Sequence, residues 1–108
     1  IDLHLDRAEA AVRALPGTGH LAVAADVGDD ASMEAMAAHV LHAWGVPELL
    51  YNNAGIASGG PMVDTTMEEW RRLLEVNVLG VVRGCRLFLP RMLAARRGHV
   101  INTASFAG

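Results

Sequence analysis

Asn52-Asn53-Ala54-Gly55 follows the apolar run Leu49-Leu50-Tyr51 and ends it in two amides, a small residue and a glycine. Paired Asn side chains at a strand end can tie neighbouring strands together by hydrogen bonds. The bare backbone of Ala54 and Gly55 lets a flat ligand approach. The same letters also suit a turn that merely closes a strand. Asp26-Val27 closes a second apolar run, Leu21–Ala25, and Ser105 stands at the end of a third, His99–Ala104. Asn77 is a lone amide inside a long periodic apolar stretch, and Asp2 follows directly on Ile1 at what reads as the end of a strand. Ligands of open α/β sheets bind just beyond the carboxyl ends of the strands, where most of these residues fall.

Two other patterns imitate chemistry. His39 and His42 are three apart, but no carboxylate or cysteine nearby completes a metal site, so they read as solvated surface. Gly17-Thr18-Gly19-His20-Leu21-Ala22 has the letters of a Gly-x-Gly-x-x-Ala dinucleotide loop. Such a loop must follow a strand and open a helix, so that the helix amino end faces the pyrophosphate. This one follows a helix and opens a strand, and reads as a plain connection.

The elements that would position these residues alternate. Ile1-Asp2-Leu3 is the end of a strand. Asp6 opens a helix with Glu9 as capping-box partner, carrying Ala8, Ala11, Val12 and Leu15 on one face until Pro16-Gly17. A strand is expected over 20–26. The next helix, after Gly28-Asp29-Asp30, has the core stripe Met33, Met36, Ala37, Val40, Leu41 and Trp44. A central strand over 48–53 leads to a Gly-, Ser- and Pro-bearing loop, Ile56 to Asp64. Thr65-Thr66-Met67-Glu68 is read as the capping box of a long helix reaching about Arg97. Its stripe is Trp70, Leu73, Leu74, Val78, Val81, Cys85, Phe88 and Met92, with a bend expected at Pro90 and an end at Gly98. Val82, Leu89 and Leu93 extend the apolar surface sideways, more than one sheet face needs. The last strand covers 99–104. This order predicts an α/β fold: a partial three-layer, Rossmann-type, doubly wound parallel sheet with helices on both faces.

With 108 residues the chain is at most one small domain, and 52% apolar and 19% charged residues suit a folded one. A net charge of −3 gives no reason to expect nucleic acid or an anionic membrane as partner. No run approaches a membrane span, no signal peptide is read, and the single cysteine, Cys85, excludes an internal disulfide. A reducing, cytoplasmic location is expected. The chain begins with Ile1 rather than Met, which suggests a fragment, and it contains no lysine: all 9 Lys/Arg positions are Arg.

On these residues the chain resembles the short-chain dehydrogenase/reductase family over essentially its whole length. Asn52-Asn53-Ala54-Gly55 is similar to the family's Asn-Asn-Ala-Gly motif after the fourth strand. Asp26-Val27 resembles the pair after the third strand that holds the adenine. Asn77 matches the helix asparagine, and Ser105, followed by Phe106-Ala107-Gly108, the catalytic serine in a Ser-x-x-Gly context. The resemblance implies 1–108 as the central part of a single NAD(P)-binding Rossmann-type domain. It implies a parent oxidoreductase moving hydride between a nicotinamide cofactor and an alcohol or carbonyl substrate. Ser105 would hold the substrate oxygen. Asn77 would bend the helix and bind a water of the proton relay. Asp2, Asp26, Val27, Asn53, Ala54 and Gly55 would bind the cofactor. An acidic Asp2 at the second strand end suits the two hydroxyls of an adenosine ribose and repels a 2′-phosphate, so NAD is favoured over NADP; an N-cap or solvated role at a loop start is the alternative. No metal is implied. A homodimer or homotetramer through the helix around 77–96 is.

The chain departs from the family at both ends. The glycine-rich pyrophosphate turn and the catalytic Tyr-x-x-x-Lys lie outside it, and Tyr51 belongs to a strand. The 108 residues alone are therefore expected to be inactive. A non-catalytic dinucleotide- or partner-binding relative is the competing reading, although such a module needs neither Ser105 nor Asn77. The substrate stays unnamed, because the family's specificity loop follows the Tyr-x-x-x-Lys.

Overall fold

The structure, a computed structural model, describes residues 1–105. Phe106-Ala107-Gly108, the rest of the Ser-x-x-Gly context, lie outside the described residues.

Helix α1 spans Leu5–Ala14, and its N-cap is His4, which makes no side-chain cap bond. The Asp6/Glu9 capping box does not form. Instead the Asp2 carboxylate accepts the His4 N–H at 2.9 Å and turns the chain into the helix early, while Glu9 pairs with Arg13 on the exposed face. Helix α2 spans Asp30–Trp44, and its cap Asp29 accepts the Ser32 N–H at 2.7 Å. Met33, Met36, Ala37 and Val40 are buried as their spacing predicts, but Trp44, at the last turn, is exposed.

The strand expected over 20–26 is reduced to one parallel bridge, Asp2 to Ala24. Asp2 donates to the Val23 carbonyl and accepts from the Ala25 N–H, and a ladder cannot outrun its partner: Leu3 and His4 already turn toward α1. Strands β1 (Leu49–Asn52) and β2 (His99–Asn102) pair in parallel, with Leu49 opposite His99 and Asn52 opposite Asn102. Both are shorter than the spans 48–53 and 99–104.

Leu50 and Val100 face a core of Ala25, Met33, Met36, Ala37, Val40, Phe88 and Met92. Leu49, Tyr51 and Ile101, on the alternate positions, are exposed. The core thus lies between the strands and the pair formed by α2 and the later half of the long helix.

That helix is not uniform. Helix α3 spans Met67–Leu74, a π-helical turn follows over Glu75–Leu79, and helix α4 runs over Gly80–Ala94. The capping box uses Thr66 and Glu69, one residue later than Thr65 and Glu68. Thr66 donates to Glu69 at 2.7 Å through its N–H, and this bond draws the Glu69 carboxyl below its usual range. α4 is continuous through Pro90. It closes on Ala95 and on Arg96 at φ 52, ahead of Gly98.

Two glycines let α4 lie close to its neighbours. A Cβ on Gly80 would meet Val27 at 3.1 Å. One on Gly84 would collide with the side-chain amide of Asn52.

Candidate cofactor and active site

The β1 and β2 carboxyl ends are laced by side chains. Asn52 donates through Nδ2 to Asn102 Oδ1 at 2.8 Å, and the Thr103 hydroxyl donates to Asn53 Oδ1 at 2.7 Å. Both bonds run between side chains. The reason is register. The backbone N–H of Thr103 already donates to the Asn52 carbonyl at 3.0 Å, leaving the amides to each other.

Beyond these ends lies an open cleft of about 420 Å³. Asp2, Asp26, Val27, Asn53, Ala54 and Gly55 all line it, together with His4, Arg7, Ile56, Arg72 and Val76. The sequence places these residues far apart; the parallel strand ends bring them to one wall. Asp2 is half-buried there with one carboxylate oxygen on His4, so the loop-start role and the cleft-lining position hold together.

Asp26 has the most constrained carboxylate in the cleft. Oδ1 accepts the Gly28 N–H at 2.8 Å, and Arg72 Nη2 bridges Oδ1 and Oδ2 at 3.1 and 3.0 Å. Partial burial opposes ionisation, but the Gly28 N–H and the Arg72 guanidinium outweigh it and hold Asp26 below the usual carboxylate range. Its own N–H donates to Ser32 Oγ at 2.9 Å, which fixes the backbone against α2.

Asn77 lies in the π-helical turn and clasps the backbone of Ile56 with both ends of its amide. Oδ1 accepts the Ile56 N–H at 2.9 Å and Nδ2 donates to the Ile56 carbonyl at 2.8 Å. A π-helical turn is a recurrent feature of functional helices because it re-aims one residue. Here it aims Asn77 at the loop after β1, and a Cβ on Gly55 would meet Asn77 Oδ1 at 3.5 Å. The amide keeps a second lone pair and a second proton for other partners. Ser105 is exposed and follows β2, on the same edge as Asn53.

Two arginines of this region escaped the sequence reading. Arg72 orients Asp26. Arg83, in α4, reaches Asp30, the Val27 carbonyl and Glu75, and the two carboxylates raise its already high pKa. The signal for Arg83 was its place between Val82 and Gly84 in an apolar run, where an arginine needs partners.

No group of three or more His, Cys, Asp or Glu that could hold a metal occurs among the described residues. No helix among them is long and apolar enough to cross a membrane.

Comparison with known proteins gives the family and the fold. The whole chain, residues 1–108, matches the short chain dehydrogenase family. Meso-2,3-butanediol dehydrogenase of Serratia marcescens is 36% identical over 94 residues, 87% of this chain and 37% of that enzyme. A short chain dehydrogenase/reductase from Burkholderia phymatum, solved in complex with NAD, superposes with a TM-score of 0.85 at 38% identity, covering 95% of this chain and 37% of its own. A metagenomic short-chain oxidoreductase, solved in complex with NADP, gives a TM-score of 0.80 at 36% identity, covering 92% of this chain and 44% of its own. The chain spans less than half the length of the curated relatives it matches. With its parallel strands, its helices and a match along its full length, this chain belongs to the short-chain dehydrogenase/reductase family and shares its Rossmann-type α/β fold.

Proposed function

We propose that the protein containing this chain is an NAD(P)-dependent dehydrogenase or reductase acting on an alcohol/carbonyl pair, and that 1–108 form the central part of its single nucleotide-binding domain. One observation carries the reading: Asp2, Asp26-Val27 and Asn53-Ala54-Gly55, from separate segments, line one cleft at the carboxyl edge of parallel strands. The cleft suits the adenosine half of a dinucleotide. An ionised Asp26 offers an acceptor for an amino group, and Ala54 and Gly55 present backbone without bulk. When bound, the nicotinamide would supply the hydride chemistry.

The chain's own residues would then hold and orient. The Ser105 hydroxyl would hold the substrate oxygen by hydrogen bonding. Asn77 would fix the loop after Gly55 through Ile56 and offer its remaining valences to the proton relay. NAD is the preferred cofactor, because the Asp2 carboxylate at the cleft wall would repel a 2′-phosphate. The apolar residues Val82, Leu89 and Leu93, exposed along α4, support a homodimer or homotetramer through this helix. A single cysteine supports a cytoplasmic location. The 108 residues alone would be inactive, since without lysine nothing here lowers a tyrosine's pKa beside the substrate.

Ser105→Ala in the whole protein tests the reading. Followed by nicotinamide absorbance with a panel of simple alcohols and ketones, kcat should fall about 10²–10³-fold, as for loss of one oxyanion donor. Undiminished turnover by the variant would refute it. A higher kcat/KM with NADP than with NAD would refute the cofactor preference.

A further inference from the structure

We infer that Arg83 is a positioning residue for Asn77: its guanidinium locks the π-helical turn to the Asp26-Val27 segment and so sets where the Asn77 amide points. The inference deepens the role proposed above for Asn77.

Three segments meet on one side chain that is only 16% exposed. Arg83 Nε donates to the Asp30 carboxylate at the start of α2. Nη1 donates to the Val27 carbonyl at 3.2 Å and to the Glu75 carbonyl at 3.1 Å. Nη2 donates to Glu75 Oε2 at 2.6 Å. Glu75 opens the wide turn, and its carbonyl also accepts the Gly80 N–H that closes that turn. Wide turns are uncommon in helices and persist where something outside the helix supports them. Here the support is a planar fork able to bond several acceptors at fixed angles. Gly80 completes the lock, since its missing side chain lets the turn rest on Val27. From Glu75 the chain reaches Asn77, and Asn77 holds Ile56 just beyond Gly55. Arg83 therefore joins one wall of the cleft to the residue clasped against the other.

The amide of Ile56 gives a direct readout, because its proton is held by Asn77 Oδ1. Hydrogen exchange at that amide can be followed in the whole protein for wild type, Arg83→Met and Arg83→Lys. Methionine keeps most of the apolar stem and removes every donor. Exchange at Ile56 should quicken about tenfold in Arg83→Met, the scale of losing one local hydrogen bond, while the amides of Met36 and Val40 in α2 stay protected. Arg83→Lys keeps the charge but cannot span three segments, so about a threefold change is expected, and it serves if Arg83→Met does not fold. Asn77→Ala alone should match the loss, and the double variant with Arg83→Met should add little to it.

Unchanged Ile56 protection in either foldable variant overturns the inference. So does a loss spread equally through α2, which would mean general destabilisation. Faster exchange at Ile56 with an unchanged kcat upholds the positioning by Arg83 and refutes instead the part proposed for Asn77 in turnover.

Discussion

Replacing Gly84 by alanine opposes two effects of known size. In a helix interior, alanine is favoured over glycine by about 1 kcal/mol, so the substitution would stabilise α4 if nothing lay against it. Something does: the added methyl would collide with the Asn52 amide, which is bonded to Asn102 at 2.8 Å. The amide must swing or α4 must lift. Swinging it forfeits a bond of about 1 kcal/mol to Asn102 Oδ1, which is exposed and can turn to water, while lifting the helix is an overpacking cost of about 1–3 kcal/mol. Set against the helical gain, the net expectation is destabilisation by up to about 2 kcal/mol, and none of the gain of about 1 kcal/mol that an open helix face would show. Urea unfolding of the whole protein, read as a lower midpoint at unchanged slope, measures it. The paired variant Gly84→Ala with Asn52→Ala should recover part of the loss, because the collision then disappears. A Gly84→Ala protein more stable than wild type by about 1 kcal/mol, the full helical gain, would refute the seating of Asn52 against α4.

Arg72→Met should weaken the protein by up to about 1 kcal/mol at neutral pH, since the pair it forms with Asp26 is part-exposed. The folded pKa of Asp26 is depressed, so this stabilisation is present above the ordinary carboxylate range and lost as pH falls through the folded value. The gap between wild type and variant, followed by thermal unfolding, should therefore close on acidification below about pH 4; a gap that widens would refute the pairing. Thr66→Ala removes the capping box and should cost about 1 kcal/mol, seen as a lower urea midpoint. Val82→Glu with Leu89→Glu should shift the sedimentation profile of the whole protein toward the monomer, and an unshifted profile would refute α4 as the interface.

The alternation of strand and helix, the burial of Met33, Met36, Ala37 and Val40, and the parallel sense of β1 and β2 could all be read from the sequence. So could the candidate cleft residues, because strand ends carry their own signature of amide, small residue and glycine. Four things could not. The run 21–25 has a strand's composition, yet a strand is a property of two segments, and its partner turns away after Asp2. The cap at Thr66 instead of Thr65 is a choice between adjacent threonines that both have an acid three residues on. The wide turn at Glu75–Leu79 left no mark in a stripe counted at 3.6 residues, and of that stripe Trp70, Leu74 and Val78 are exposed. Arg72 and Arg83 were missed for a related reason: Asp26, Val27 and Asp30, which they bond, lie in segments far away in sequence.

The wide turn also sets how the gene can change length. A helix advances about 100° per residue, so one surplus residue in Glu75–Leu79 rotates everything after it by that angle relative to α3. Gly80, Gly84, Phe88 and Met92 face inward in the resulting orientation of α4. Loss of a single codon between Glu75 and Leu79 would heal the helix locally and turn α3, which buries no residue, by that angle relative to α4, which seats Phe88 and Met92 in the core. Substitution at exposed Val78 or Leu79 carries no such penalty. The segment is therefore forgiving at Val78 and Leu79 and rigid in its count.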